Sequence, residues 1–117
     1  MLKQSWINAP KETPKDKVGF VYQITQLKTG LKYIGIKKFW TKKGKETNWK
    51  TYKSSGAKLK GIDVNNPKKY KKEILYICDT ITDMKVKEAW LQLDYYISGN
   101  WSKLMNEVIN LRVRIRK

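Results

Sequence analysis

The side chains available for chemistry in this chain are tyrosines, lysines, three arginines and a few carboxylates, because the sequence contains no histidine and a single cysteine. That inventory excludes zinc sites built on His and Cys, and it excludes Ser-His and Cys-His nucleophile pairs. Any catalysis must come from Tyr, Lys, Arg, Asp or Glu, or from a metal held by oxygen ligands. Two tyrosines are placed suggestively: Tyr22 in Gly19-Phe20-Val21-Tyr22-Gln23-Ile24, and Tyr33 in Lys32-Tyr33-Ile34-Gly35, eleven residues on. A phenol ordinarily titrates near 10, so it acts as a base at neutral pH only where nearby cations favour the phenolate. Cations abound. Lys and Arg number 26 against 10 Asp and Glu, a net charge of +16 with a pI near 9.9. Such a field attracts polyanions, and nucleic acid is the partner that phosphate contacts and counterion release favour. The plainer alternative is a solvated lysine surface, since all but three of the basic residues are lysine. Phosphodiester hydrolysis needs an activated water, a cation on the non-bridging oxygens and help for the leaving group. Without His, an oxygen-ligated Mg²⁺ or Mn²⁺ working with lysines and tyrosines is the economical solution.

Short elements must position these groups. The two tyrosine runs alternate β-branched or aromatic residues with others, and Lys28-Thr29-Gly30 between them offers a glycine able to take positive φ, so the pattern predicts a β-hairpin. If the connection holds an even number of residues, the two phenols share one face; a three-residue loop separates them unless a bulge intervenes. Tyr70 to Cys78 reads as a third strand, largely buried in its C-terminal half. Thr82 or Asp83 would cap a helix from about Met84 to Ile97, with Val86, Trp90, Leu93 and Ile97 as its buried stripe. Thr47 or Asn48 would cap a short helix leading to Ser54-Ser55-Gly56. The fold class expected is α/β (α+β): a small three-stranded antiparallel sheet flanked by helices.

A chain of 117 residues is one domain's worth. The expected division is an irregular N-terminal arm over residues 1–17 and a single domain over 18–117. Trp6 in that arm either anchors it to the domain, the better reading for a tryptophan, or lies on DNA. No apolar run approaches the length of a membrane span and no signal peptide is visible, so a soluble, intracellular protein is expected, without membrane or small-molecule cofactor partners. Cys78 reads as a buried small hydrophobe. The loop from Ile36 to Thr47 interleaves lysines with Phe39 and Trp40, which suits a nucleic-acid surface. The tail from Leu111 to Lys117 alternates apolar and basic residues, the pattern of an edge strand whose charges either deter edge pairing or contact phosphate.

Val21-Tyr22 and Tyr33-Ile34-Gly35, at their separation, resemble the two signature halves of the GIY-YIG nuclease family, with Phe20 where the family usually has Gly. Trp49, Tyr52, the pair Ser54-Ser55 and a following Leu after a lysine-rich loop look like the phage-type branch that includes small endonucleases of T4-like phages. The resemblance runs from about Val18 to Asn110. It implies a GIY-YIG-like domain acting as a Mg²⁺- or Mn²⁺-dependent DNA endonuclease, of phage origin. It implies that Tyr22 relays or accepts a proton from the attacking water, that Tyr33 holds the site through its hydroxyl, and that Glu88 binds the metal, with Asp94 as the rival and an exposed helix ion pair as the bland role for Glu88. The family's Arg has no counterpart here, since no Arg precedes Arg112. Asn48 falls at its position, and Lys50 or Lys38 would substitute as a point charge. DNA contacts are expected from Lys37, Lys42, Lys43, Trp49, Tyr52, Lys53, Ser54 and Ser55. The alternatives are a catalytically weak or inactive nucleic-acid-binding protein on the same fold, and an accessory subunit docking an acidic protein. The oligomeric state is left open by the sequence.

Overall fold

A computed structural model of the chain describes residues 6–54, Leu59, 61–109 and Leu111. Three strands, β1 (Gly19–Gln26), β2 (Lys32–Lys38) and β3 (Tyr70–Cys78), form one antiparallel sheet in the order β2-β1-β3, and a single long helix, α1 (Ile81–Ile97), follows the last strand. The alternating β-branched and aromatic residues of β1 and β2 pair with Tyr22 opposite Gly35 and Ile24 opposite Tyr33. The last pair, Thr25 with Lys32, leaves residues 26–31 as the connection. That count is even, so both phenols do lie on one face. The turn is closed by Gly30, at φ 76°, whose amide donates to the Gln26 carbonyl.

The two faces of the sheet carry separate cores. Phe20, Tyr22, Ile24 and Ile74 are covered by Trp6, Phe39, Trp49, Leu59 and Val64, while Val21, Ile34 and Cys78 pack against Met84 of α1 and Leu104. Both outer strands receive company at their edges, which blunts them as templates for pairing with other chains. Ile7 bonds Lys72 and Ile74 across the backbone of β3, and Met105 donates to the Lys32 carbonyl on the far edge of β2. Trp6 is therefore an anchor. It is almost fully buried and its indole N–H donates to the Trp49 carbonyl at 2.6 Å.

Four sequence expectations need correction. The helix begins at Ile81 because Thr80, not Thr82 or Asp83, caps it: the Thr80 hydroxyl accepts from the Asp83 amide at 3.0 Å. Its apolar stripe is not the buried one. Val86, Trp90 and Ile97 are 42%, 59% and 78% exposed, and the face turned inward holds Met84, Glu88, Ala89 and Gln92. Periodicity assumes that polar side chains face water, and here Glu88 and Gln92 do not. In β3, Tyr76 and Ile77 are exposed while Tyr70, Lys72 and Ile74 are buried, so burial follows the strand's two-residue period rather than concentrating at its C-terminal half. Around Asn48 the chain forms only a 3-10 turn, Trp49–Thr51, after which Tyr52 is extended and Ser54 takes φ 76°. Cys78 is buried as expected, and burial pushes its thiol up to about 11. The expected C-terminal edge strand falls mostly on residues 112–117, outside the described residues.

Candidate active site

Tyr22 and Tyr33 stack with ring centroids 6.4 Å apart and planes 29° from parallel. Tyr22 is nearly inaccessible, and its ring is walled by Trp6 at 5.1 Å and Tyr52 at 6.1 Å between centroids. Its hydroxyl shares a 2.7 Å hydrogen bond with the Ser54 hydroxyl, which also lies close enough to Tyr33 to favour its ionised form, against the larger effect of burial. One hydroxyl thus sits beside both phenols. It is delivered there by the left-handed backbone of Ser54, a conformation that costs a non-glycine residue about 1 kcal/mol or more and that its surroundings must hold.

Gly35 makes room for this arrangement. A Cβ built there would come within 2.6 Å of Tyr22 Cζ, so the phenol lies directly across the glycine. Asn106 fixes the neighbouring residue: its side-chain amide donates to the Ile34 carbonyl at 2.8 Å and its carbonyl accepts from the Ile34 amide at 2.9 Å. A side chain 72 residues away thus completes the ladder of β2 between Tyr33 and Gly35.

The charges come from two elements. Alternation along β2 places Lys37 on the face of Tyr33 and Gly35. Its ammonium lies 4.1 Å from the centroid of the Tyr52 ring, and partial burial lowers its pKa. Glu88 comes from the inward face of α1, where it is 7% exposed, near enough for its negative charge to oppose ionisation of both phenols. Burial is the larger cause in each case and holds Tyr22 well above its ordinary value and Tyr33 above it, so both are neutral phenols in the free protein at pH 7.

The expected residues divide clearly. Tyr22, Tyr33, Tyr52, Ser54 and Lys37 converge, and Glu88, on α1, reaches the two phenols through its charge. Lys38 points the other way from its neighbour, is exposed, and lines a shallow basic cleft with Trp40, Lys42 and Lys85. Lys43, Lys50 and Lys53 are exposed, with Lys50 beside the Trp49 ring and Lys53 3.7 Å from Asp63. Trp49 cannot stack on a base. It is 1% exposed, packs on Phe20 and Phe39, and donates its indole N–H to Thr13. Asp94 is exposed on α1 while Glu88 is buried, which separates the two rivals by the face they occupy. Ser55 lies outside the described residues. Sequence reasoning missed Lys72, buried behind the tyrosines in phase with Tyr70 and Ile74; the two-residue period was the signal that pointed to it.

A family model described as "putative endonuclease segE, GIY-YIG domain" matches residues 3–103 of the chain. No curated protein and no solved structure matches it significantly. Among the described residues, no helix is long and apolar enough to cross a membrane.

Proposed function

Since this chain belongs to the SegE GIY-YIG endonuclease-domain family, we propose that it is a divalent-cation-dependent DNA endonuclease whose reacting centre is the Tyr22, Tyr33, Ser54, Lys37 and Glu88 cluster. The observation that carries the reading is the pair of stacked, neutral phenols, one bonded to the Ser54 hydroxyl, with a buried carboxylate whose charge reaches both. Tyr22, after releasing its own proton to solvent when DNA binds, acts as a phenolate that orients the attacking water and takes its proton. Because burial keeps this phenol protonated, that role requires cations to gather when DNA binds, and Lys37 is the lysine already in place. Ser54 holds the Tyr22 hydroxyl through its hydrogen bond while Tyr33 stacks on the Tyr22 ring, and Lys37 meets a phosphate oxygen as a point charge where the family uses an arginine fork.

Among the described residues no three Asp, Glu, Cys or His side chains converge on one point. A site with one carboxylate fits a hard cation that keeps several waters and takes phosphate oxygens from its substrate, which is the habit of Mg²⁺ and, with similar ligands, Mn²⁺. Glu88 would hold it, and the bound ion would supply positive charge for the non-bridging oxygens. Lys38, Lys42, Lys43 and Lys53 supply backbone contacts to the duplex, and the family resemblance supports a phage origin. A second reading, a DNA-binding protein with feeble or no catalysis, is favoured by one fact: Asn48, at the place of the missing arginine, is exposed and makes no side-chain cap.

Nicking of supercoiled plasmid separates the two. The expected result is Mg²⁺-dependent nicking that EDTA stops and that Glu88→Ala and Glu88→Gln abolish while DNA binding persists. Wild-type protein that binds the plasmid but leaves it intact under Mg²⁺ and Mn²⁺ would hand the case to the binding protein.

A further inference from the structure

Lys72 is completely withdrawn from solvent in β3. A buried ammonium is costly, and a well-packed apolar side chain would fill the same space at less expense, so packing alone gives no reason for the charge. Its partners suggest one. The ammonium donates to the Tyr52 carbonyl at 2.7 Å and to Asn65 Oδ1 at 2.6 Å, and it lies 4.1 Å from the centroid of the Trp6 ring. Asn65 in turn donates to the Thr51 carbonyl at 3.0 Å, so two successive carbonyls of the turn leading to Ser54 are tied to one Lys-Asn pair. Trp6, Tyr52 and Ser54 are the groups that wall and hydrogen-bond Tyr22. Two stretches far apart in the chain therefore meet Tyr22 from different sides and are joined behind it by one cation.

We infer that Lys72 is a positioning residue for the nuclease reaction, holding Trp6 and the Tyr52–Ser54 turn against Tyr22 and so setting the direction of the Tyr22 hydroxyl. The inference rests on the reading of the tyrosine cluster as the reacting centre.

The titration of Lys72 gives a way to see this role. Burial lowers its pKa to about 8, opposed by the charge of Asp63 and assisted by that of Lys53; Trp6, Tyr52 and Asn65 are the other groups facing it. Above that pH the neutral amine loses its attraction to the Trp6 face and its charge-assisted hydrogen bonds. Stability moves the other way. Between about 8 in the folded chain and the ordinary 10.5, the unfolded chain binds the proton that the folded chain has released, so this group makes stability rise with pH across that window. Tyr22 acting alone would also make activity climb with pH, because its phenol stays protonated well above 10. A fall in activity near pH 8 that Lys72→Met removes, in a protein that is no less stable, is therefore the mark of the positioning ammonium, since loss of charge at Lys37, whose pKa burial also lowers, would persist in that variant.

The test is single-turnover plasmid nicking with Mg²⁺ from pH 6.5 to 9, beside urea unfolding and DNA binding by fluorescence anisotropy, for wild type, Lys72→Met and Asn65→Asp. Lys72→Met is expected to nick roughly 10- to 100-fold more slowly at pH 7, the scale of a sub-ångström to 1 Å misplacement, with DNA affinity within about twofold. Wild-type nicking should fall with a midpoint of about 8, the fall should be missing in Lys72→Met, and Asn65→Asp should move it up by about one unit or more by placing an opposite charge on the ammonium. A folded Lys72→Met that nicks at the wild-type rate, or wild-type activity that simply follows stability across pH 8, overturns the inference. Should Lys72→Met fail to fold, Asn65→Asp decides, and an unmoved midpoint overturns it. A wild type that never nicks overturns the nuclease reading and removes the reaction Lys72 would serve, a result distinct from a nicking enzyme indifferent to Lys72.

Discussion

Replacing Gly35 with alanine adds one methyl group where the structure leaves no space for it. Gly35 has ordinary backbone angles, so the substitution carries no conformational strain and its effect is steric alone. The new Cβ would stand 2.6 Å from Tyr22 Cζ, whereas real Cβ contacts begin at about 3.0 Å and become ordinary at 3.4 Å. The phenol must therefore retreat by at least the difference, about 0.4 to 0.8 Å, and by more at its hydroxyl oxygen, which stands nearer still, with the Trp6 ring at 5.1 Å and the Tyr52 ring at 6.1 Å around it. A retreat of that size stretches the 2.7 Å bond to Ser54 to the edge of hydrogen-bonding distance. Overpacking of this kind costs about 1–3 kcal/mol, which for a domain of this size lowers the melting temperature by roughly 4–12 °C. The rate should suffer more than the stability, because a reacting group displaced by most of an ångström loses on the order of 10- to 100-fold. Calorimetry and single-turnover nicking, with Tyr22→Phe alongside, measure both. Tyr22→Phe should slow nicking with the smaller loss of stability, about 1 kcal/mol for the missing hydrogen bond. Gly35→Ala with the wild-type melting temperature and rate would refute the claim that Tyr22 lies across Gly35.

Other substitutions probe the remaining parts. Asn106→Ala strips the Ile34 amide and carbonyl of their side-chain partner and should cost about 2–4 kcal/mol in urea unfolding, the sum of two poorly satisfied backbone groups. Lys37→Ala should slow nicking by more than about tenfold with a modest change in affinity, whereas Lys38→Ala should leave the rate nearly intact and lower the salt slope of DNA binding by about one, as for a plain phosphate contact. Trp90→Ser, at a position 59% exposed, should change the unfolding free energy by no more than about 0.5 kcal/mol; a loss of several kcal/mol would mean that the stripe is covered after all.

The hairpin is legible because its signals are local, a two-residue period and a glycine turn, while the parity that puts both phenols on one face comes only from the strand register. The third strand and the helix were legible as elements for the same reason. Their facing was not. Val86, Trp90, Leu93 and Ile97 form the better apolar stripe on α1, yet the helix turns Met84, Glu88, Ala89 and Gln92 inward, with Met84 packed on the Val21, Ile34 and Cys78 face of the sheet. Trp49 misled in the opposite sense. An aromatic among lysines reads as a platform for bases, but this one fills the core beneath its 3-10 turn while its lysine neighbours face water. Lys37 and Lys38 were weighed by charge, and the strand period, which separates them, decided which one joins the phenols. For Lys72 and Asn106 the partners lie in distant segments, so no window of sequence could show them paired.

The clasp between Asn106 and Ile34 spans 72 residues, and the bond from Trp6 to Trp49 spans 43. Closing such loops is the slow, entropically opposed part of folding. Because Tyr22 is set by Trp6 on one side of the chain's midpoint and Ile34 by Asn106 on the other, the hairpin that carries both tyrosines is held in order only once nearly the whole described chain has collapsed around it. A ribosome-bound or truncated chain ending before Asn106 would carry both phenols and the lysines without the geometry that joins them. Cleavage would then switch on late in synthesis, after the last clasp closes, and the onset of nicking would report completed folding rather than the presence of the motif.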